Sequence, residues 1–175
     1  MNTVQKLVRS SLLLALAIAA QAIGRSFPQI SQLFVGSIVN AILIIAAVSS
    51  GMQWGILVGG LTPLLAWSIG QLPAPFGPFV PFIMMGNIIF VVAFSIINKM
   101  GDKAGIFGVI ISSLLKFGFL SLASSKLITI FNLGIPKKVA DKLIISMGTP
   151  QLITALLGGI IALMLTNLLK KRRIL

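Results

Sequence analysis

The chain contains no cysteine, no histidine and no tyrosine, and its only acids are Asp102 and Asp141. Without cysteine there are neither disulfides nor thiolate metal sites. Hydrolases and oxidoreductases generally work through a set of titratable side chains or a metal cluster, and almost none of the side chains required are present. The sequence is therefore not that of an enzyme by itself, and neither a resident cofactor nor a metal ion is expected. A GxxxxGK[ST] phosphate loop is also missing, so the chain does not bind ATP in the usual way. Charge is scarce: 9% of the 175 residues are charged, against about 25% in ordinary soluble domains. With 57% hydrophobic residues, this composition is that of an integral membrane protein. The formal net charge of +12 would suit a nucleic-acid-binding protein, but the basic residues sit at the ends of apolar runs and form no stripe of their own. Nucleic acid is therefore not an expected partner.

What the chain does have is apolar length. At 1.5 Å rise per residue, a helix crosses a hydrocarbon layer of ~30 Å in about 20 residues. Six runs come near that length: 7–24, 33–50, 52–70, 79–97, 104–123 and 151–169. The breaks between them carry turn chemistry: Pro28 in "RSFPQIS", Gly51 in "SSGM", four prolines in "GQLPAPFGPFVP", the charged "NKMGDK", and the longer, basic "NLGIPKKVADK". The fifth run has an apolar continuation past Ser124, "KLITIFNLG", which suits a helix extension at the surface. A cleaved signal peptide would share the first run's basic start and small residues, but five more spanning runs follow, and an uncleaved first helix is the simpler reading. The expected fold is an all-α integral membrane protein of six transmembrane helices, residues 1–175 forming a single six-helix membrane domain in the cell membrane.

Lys and Arg in the short loops set the orientation. With the N-terminus in the cytoplasm, the inner side holds Lys6, Arg9, Lys99, Lys103, Lys170, Lys171, Arg172 and Arg173, and the outer side holds Arg25, Lys126, Lys137, Lys138 and Lys142. Both termini are therefore expected to be cytoplasmic, with the terminal "KKRR" meeting anionic lipid of the bilayer.

In that topology the intramembrane polar residues gather in the outer half. Asn40 lies there in the second run, Trp67 and Gln71 end the third, Asn87 sits a few turns into the fourth, Lys116 lies past the middle of the fifth, and Gln151 opens the sixth. Gln21 and Arg25 end the first run on the same side. A channel should be polar on both sides; this distribution fits a pocket open outward and closed inward. Arg25, Asn40, Trp67, Gln71, Asn87, Lys116 and Gln151 are the expected substrate-binding residues. Each has a plainer reading: Lys116 can snorkel to the surface, the asparagines can tie helices together, Trp67 can anchor at the interface, and Gln151 can cap a helix. A cationic ligand would find no intramembrane counter-charge, so a neutral or anionic one is expected. The stretch 72–82, "LPAPFGPFVPF", is apolar yet too rich in proline for a regular helix, and suits a rim or lid over the pocket.

Small residues recur at helical spacing in two runs: Ser11, Ala15 and Ala19 in the first, Gly51, Gly55 and Gly59 in the third. Such ladders let helices approach closely. The third run's ladder suits packing within the bundle; the first run's also suits docking on another membrane protein.

The size, the six spans, the N-in orientation and the Ala-x-x-x-Ala of the first run together resemble the substrate-binding S component of energy-coupling factor (ECF) transporters. The resemblance implies that Ala15 and Ala19 contact a coupling transmembrane subunit, that two cytosolic ATPases supply energy, and that the ligand sits near the outer face, in elements to which Arg25, Asn87, Lys116 and Gln151 belong. It implies high-affinity binding of a vitamin-like micronutrient and its uptake as the whole subunit topples in the bilayer. A self-contained small-solute transporter or channel, and an assembly subunit without a ligand, are the alternatives.

Overall fold

A computed structural model of the chain describes residues 2–101, 104–131 and 133–172, with 28–31 as backbone alone; Asp102, Lys103 and Arg173, which entered the charge argument, lie outside the described residues. The described chain is helical throughout. It runs through α1 (Thr3–Arg25), α2 (Pro28–Ser50), α3 (Met52–Ser68), a 3-10 segment (Ala74–Phe79), α4 (Val80–Asn98) and α5 (Ala104–Leu122). A π turn (Ala123–Leu127) carries α5 on into the short α6 (Ile128–Ile130), followed by α7 (Lys137–Met147) and α8 (Thr149–Lys171).

The apolar runs became the six long helices, and local chemistry sets their ends. Asn2 caps α1: its side chain accepts from the Gln5 amide at 2.9 Å while the Gln5 side chain accepts from the Asn2 amide at 3.1 Å. This reciprocal cap needs no acid, which suits so acid-poor a chain. Gly51, at φ +105°, is the single residue between α2 and α3, a backbone state that a residue with a Cβ rarely adopts. Proline stops regular helix after α3, so residues 74–79 form a 3-10 segment, and Pro81 falls harmlessly in the first turn of α4.

The loop expected at "NLGIPKKVADK" needs correcting. From Lys137 it is the amphipathic helix α7, with Pro136 at its N-cap. Val139, Leu143 and Met147, four apart, turn toward the bundle, while the exposed Lys137, Lys138, Asp141 and Lys142 lie off that apolar line. The many basic residues obscured a regular apolar period.

Helix α2 is the centre of the bundle. It touches α1, α3, α4 and α8; α4 continues the ring through α5 to α8. The core follows α2, with Ile42, Leu43, Ile44 and Ala46 buried against Phe90, Val91 and Phe94 of α4. A second cluster gathers Phe76 and Phe79 of the 3-10 segment with Leu120, Leu143 and Met147 at the end where α5, α7 and α8 meet. Around this core Leu57, Leu64, Ile111, Leu115, Leu157 and Ile161 point outward. An apolar surface on that scale is unsustainable in water and ordinary in lipid. Five stretches (Thr3–Arg25, Gln32–Ser50, Ala74–Asn98, Ala104–Ile130 and Lys137–Lys171) are long and apolar enough to cross a membrane; α3, at 17 residues, is shorter. The protein is a multi-pass membrane protein.

In lipid, apolar contact drives no association between helices, so close fit carries more of the stability. Gly55 of α3 lies where an added Cβ would come within 2.9 Å of Ala47 and Val91, which places this ladder inside the bundle. Among the described glycines, the one closest to another helix's backbone is Gly158, where α8 meets α2: a Cβ there would stand 2.5 Å from the Ser37 carbonyl oxygen and 2.8 Å from the Ala41 amide nitrogen. Backbone cannot step aside as a side chain can. Gly158→Ala is expected to lower stability by about 1–3 kcal/mol, whereas Gly118→Ala, with nothing within 4 Å of its added methyl, is expected to stay neutral or gain slightly. Thermal unfolding of the purified variants in detergent checks this; equal effects at the two positions would show that α2 and α8 are not in such close contact.

Candidate functional site

Between the helices, at the end where α7 and the 3-10 segment lie, is a cavity of about 570 Å³. Buried at its base is Lys116 of α5, only 3% exposed. Its Nζ donates to Asn40 Oδ1 of α2 at 2.7 Å and to Asn87 Oδ1 of α4 at 2.8 Å, and lies 5.4 Å from the centre of the Phe90 ring. The two amides are oriented by their other ends. Asn87 Nδ2 donates to the Gly59 carbonyl of α3 at 3.0 Å, and Asn40 Nδ2 donates to Thr154 Oγ1 of α8 at 3.4 Å. Thr154 in turn donates to the Gln151 carbonyl. One chain of hydrogen bonds thus ties α2, α3, α4, α5 and α8 together around a single ammonium. It answers the two plain readings of Lys116 and the asparagines at once: the lysine does not snorkel, and the asparagines do join helices, through the lysine.

Above this floor the wall is mixed. Val35 and Val39 of α2, Ile83 of α4 and Phe76 of the 3-10 segment give it apolar surface. Gln21 of α1 is buried on the wall, and its Oε1 has no hydrogen-bond partner. At the rim, Arg25 donates to the Ile69 carbonyl at 2.9 Å, pinning the end of α1 to the end of α3. Gln32 donates to the Ser146 carbonyl at 2.7 Å, pinning the start of α2 to the end of α7. Lys142, Ile145 and Met147 bring α7 across the mouth. Leu72, Pro73 and Phe76 place the proline-rich stretch on the same wall, where a rim was expected.

Of the residues singled out from sequence, Arg25, Asn40, Gln71, Asn87, Lys116 and Gln151 share this cavity. Trp67 stands apart from it: its indole Nε1 donates to the Ala74 carbonyl at 3.3 Å, and its ring lies against Gly77, bracing the 3-10 segment from outside. Gln21, which the sequence marks only as a polar end to the first run, also lines the cavity, as do Gln32, Thr62, Lys142 and Ser146, which are not among the expected binding residues. Two of these sit on α7, and the period that would have revealed that helix would have revealed them. Among the described residues no carboxylate lines the cavity; Asp141 is exposed on α7.

The small-residue ladder of α1 lies on a different surface. α1 packs mainly on α2 and α3, outside the ring. Ala17, Gln21 and Gly24 turn inward, and Ser11, Ala15 and Ala19 turn outward, all exposed.

Residues 5–169 match the family described as ECF transporter, substrate-specific component. No match was found among curated proteins or among solved structures.

The geometry at Lys116 makes a specific energetic claim. Lys116→Met and Asn87→Leu are each expected to cost about 1.5–3 kcal/mol, because each strands a buried polar partner. The double variant is expected to cost less than the sum by about 1 kcal/mol or more, since neither partner is left behind. Thermal unfolding of the four proteins closes the cycle; strict additivity would mean that the two side chains do not interact.

Proposed function

The chain belongs to the family of ECF transporter substrate-specific components, and on that footing we propose that it captures a vitamin-like micronutrient, neutral or anionic, with high affinity in the cavity above Lys116. The observation that carries this reading is a pocket polar at its floor, apolar along its walls and stopped below by solid core. Pockets for small molecules commonly combine apolar walls with a few convergent polar groups. Beneath the polar floor Phe90, Phe94, Leu43 and Ile44 are fully buried, which supports capture and handover over conduction through a pore.

Members of this family are transporter subunits, and membrane transport is the shared activity. Uptake in the proposed scheme needs a coupling transmembrane subunit and two cytosolic ATPases. The cavity opens to the outer face of the cell membrane and both termini are cytoplasmic. Among the described basic residues, Lys6, Arg9, Lys99, Lys170, Lys171 and Arg172 lie at the end opposite the cavity and Arg25, Lys126, Lys137, Lys138 and Lys142 at the cavity end, six against five in favour of this orientation. The coupling subunit docks on α1 along Ser11, Ala15 and Ala19. Support comes from the position of α1 at the periphery and from the outward turn of its smallest residues, which leaves a shallow strip between exposed Leu12, Leu16 and Ile23. Small side chains allow backbone-close contact between membrane helices without fixing a single register, as a subunit that turns in the bilayer requires.

Ala15→Trp and Ala19→Trp, co-expressed with a coupling subunit and its ATPases, are expected to reduce uptake to background while leaving the retained small molecule visible by native mass spectrometry. Uptake that survives both substitutions would remove α1 as the docking face. Solute flux through liposomes holding this chain alone would overturn the proposal in favour of a self-contained transporter.

A further inference from the structure

The cavity's charges are all of one sign. Lys116 sits at its floor, and Arg25 and Lys142 at its rim, with no carboxylate on its wall among the described residues. At the floor the choice of partner is informative. An aspartate at either position 40 or 87 would pair with Lys116 and leave the buried cluster neutral. The chain has asparagine at both, so two amide oxygens hold the lysine nitrogen in place, and no carboxylate of the described chain neutralises it when it is protonated. An ammonium has three N–H donors, and these two bonds use two of them. An unneutralised charge in the middle of a membrane protein is costly and calls for a partner. We infer that the partner is the ligand: a small organic carboxylate whose acidic head takes the remaining donor of Lys116 between Asn40 and Asn87, and whose body lies along Val35, Val39 and Ile83. This rests on the proposed reading of the cavity as the substrate site.

Several features narrow the class. The floor offers one ammonium and no guanidinium fork, which suits a singly charged carboxylate better than a phosphate dianion. Gln21, buried on the wall with an unpartnered side-chain oxygen, provides a second polar point, so the ligand carries a hydrogen-bonding group away from its carboxylate. Arg25 and Lys142 at the mouth raise the local concentration of anions before binding. Asn40 and Asn87 act as positioning residues, aiming the ammonium with oxygens whose orientation their own N–H bonds fix.

The test uses the full-length protein in detergent and three probes made from yeast extract: the fraction retained on an anion exchanger, the same fraction after methyl esterification, and the unretained fraction. The retained fraction is expected to raise the unfolding temperature, and esterification is expected to abolish the rise by neutralising carboxylates. Asn87→Asp supplies an internal counter-charge. Because the carboxylate also loses the bond that Asn87 Nδ2 gives the Gly59 carbonyl, the response is read from the variant's own ligand-free unfolding temperature, and the variant is expected to need roughly 10- to 100-fold more of the retained fraction for the same rise. Stabilisation by the unretained fraction alone, or a response that survives esterification, would overturn the carboxylate and leave the substrate site standing. An undiminished response in Asn87→Asp would remove Lys116 as the anchor. No stabilisation by any fraction, with no small molecule retained in native mass spectra, would bring down the substrate site and this inference together.

Discussion

The polar side chains that join one helix to another deep in the bundle are organised around the amine of Lys116 and the two asparagine oxygens that hold it. A lysine in a membrane-spanning helix must reach water, find an anion or be wrapped in dipoles. Here it is wrapped, and each wrapping amide is itself tethered, one to Gly59 and the other to Thr154. The position of α5 relative to α2, α3, α4 and α8 is therefore set by directional bonds. The apolar contacts around them fill space but do little to specify register in a solvent as apolar as themselves. The same bonds mark the boundary between the cavity and the solid core beneath it, where Phe90 meets the lysine from below.

Glycine shapes the scaffold that permits this. Gly158 lets α8 sit on the backbone of α2 close to Ser37 and Ala41, within a turn of Asn40. Gly59 leaves its carbonyl open to Asn87 and adds no side chain at the contact. Thr62 and Thr166 bond back to the Val58 and Ala162 carbonyls of their own helices, while the buried hydroxyls of Ser10, Ser49, Ser50, Ser95 and Ser113 have no hydrogen-bond partner. The polar content of the bundle is small, and most of it is either satisfied within a helix or collected at the cavity.

Much of this was legible in the sequence. Helical spans in lipid need length and apolarity, which are additive along the chain, so all six runs were visible. The convergence of Asn40, Asn87 and Lys116 was legible as well, because alternating direction puts the outer halves of successive helices at one level. Rotation about each helix axis was not legible. It decides that Trp67 faces the 3-10 segment and that Gln21 faces the cavity, and it depends on packing that no single run encodes. Helix α7 escaped notice for a different reason: its apolar side is only three residues wide, and its lysines matched the expectation for a loop. The two small-residue ladders looked alike in the sequence and separated only in three dimensions, one against Ala47 and Val91, the other on the open side of α1.

The one-residue link at Gly51 also bears on how the chain enters the bilayer. Two helices joined by one residue are held side by side as an antiparallel hairpin. The helix that becomes the most enclosed in the bundle therefore has one flank covered by α3 as soon as both are made, whereas the polar partners of Asn40, Thr154 and Lys116, lie on helices that follow later in the chain.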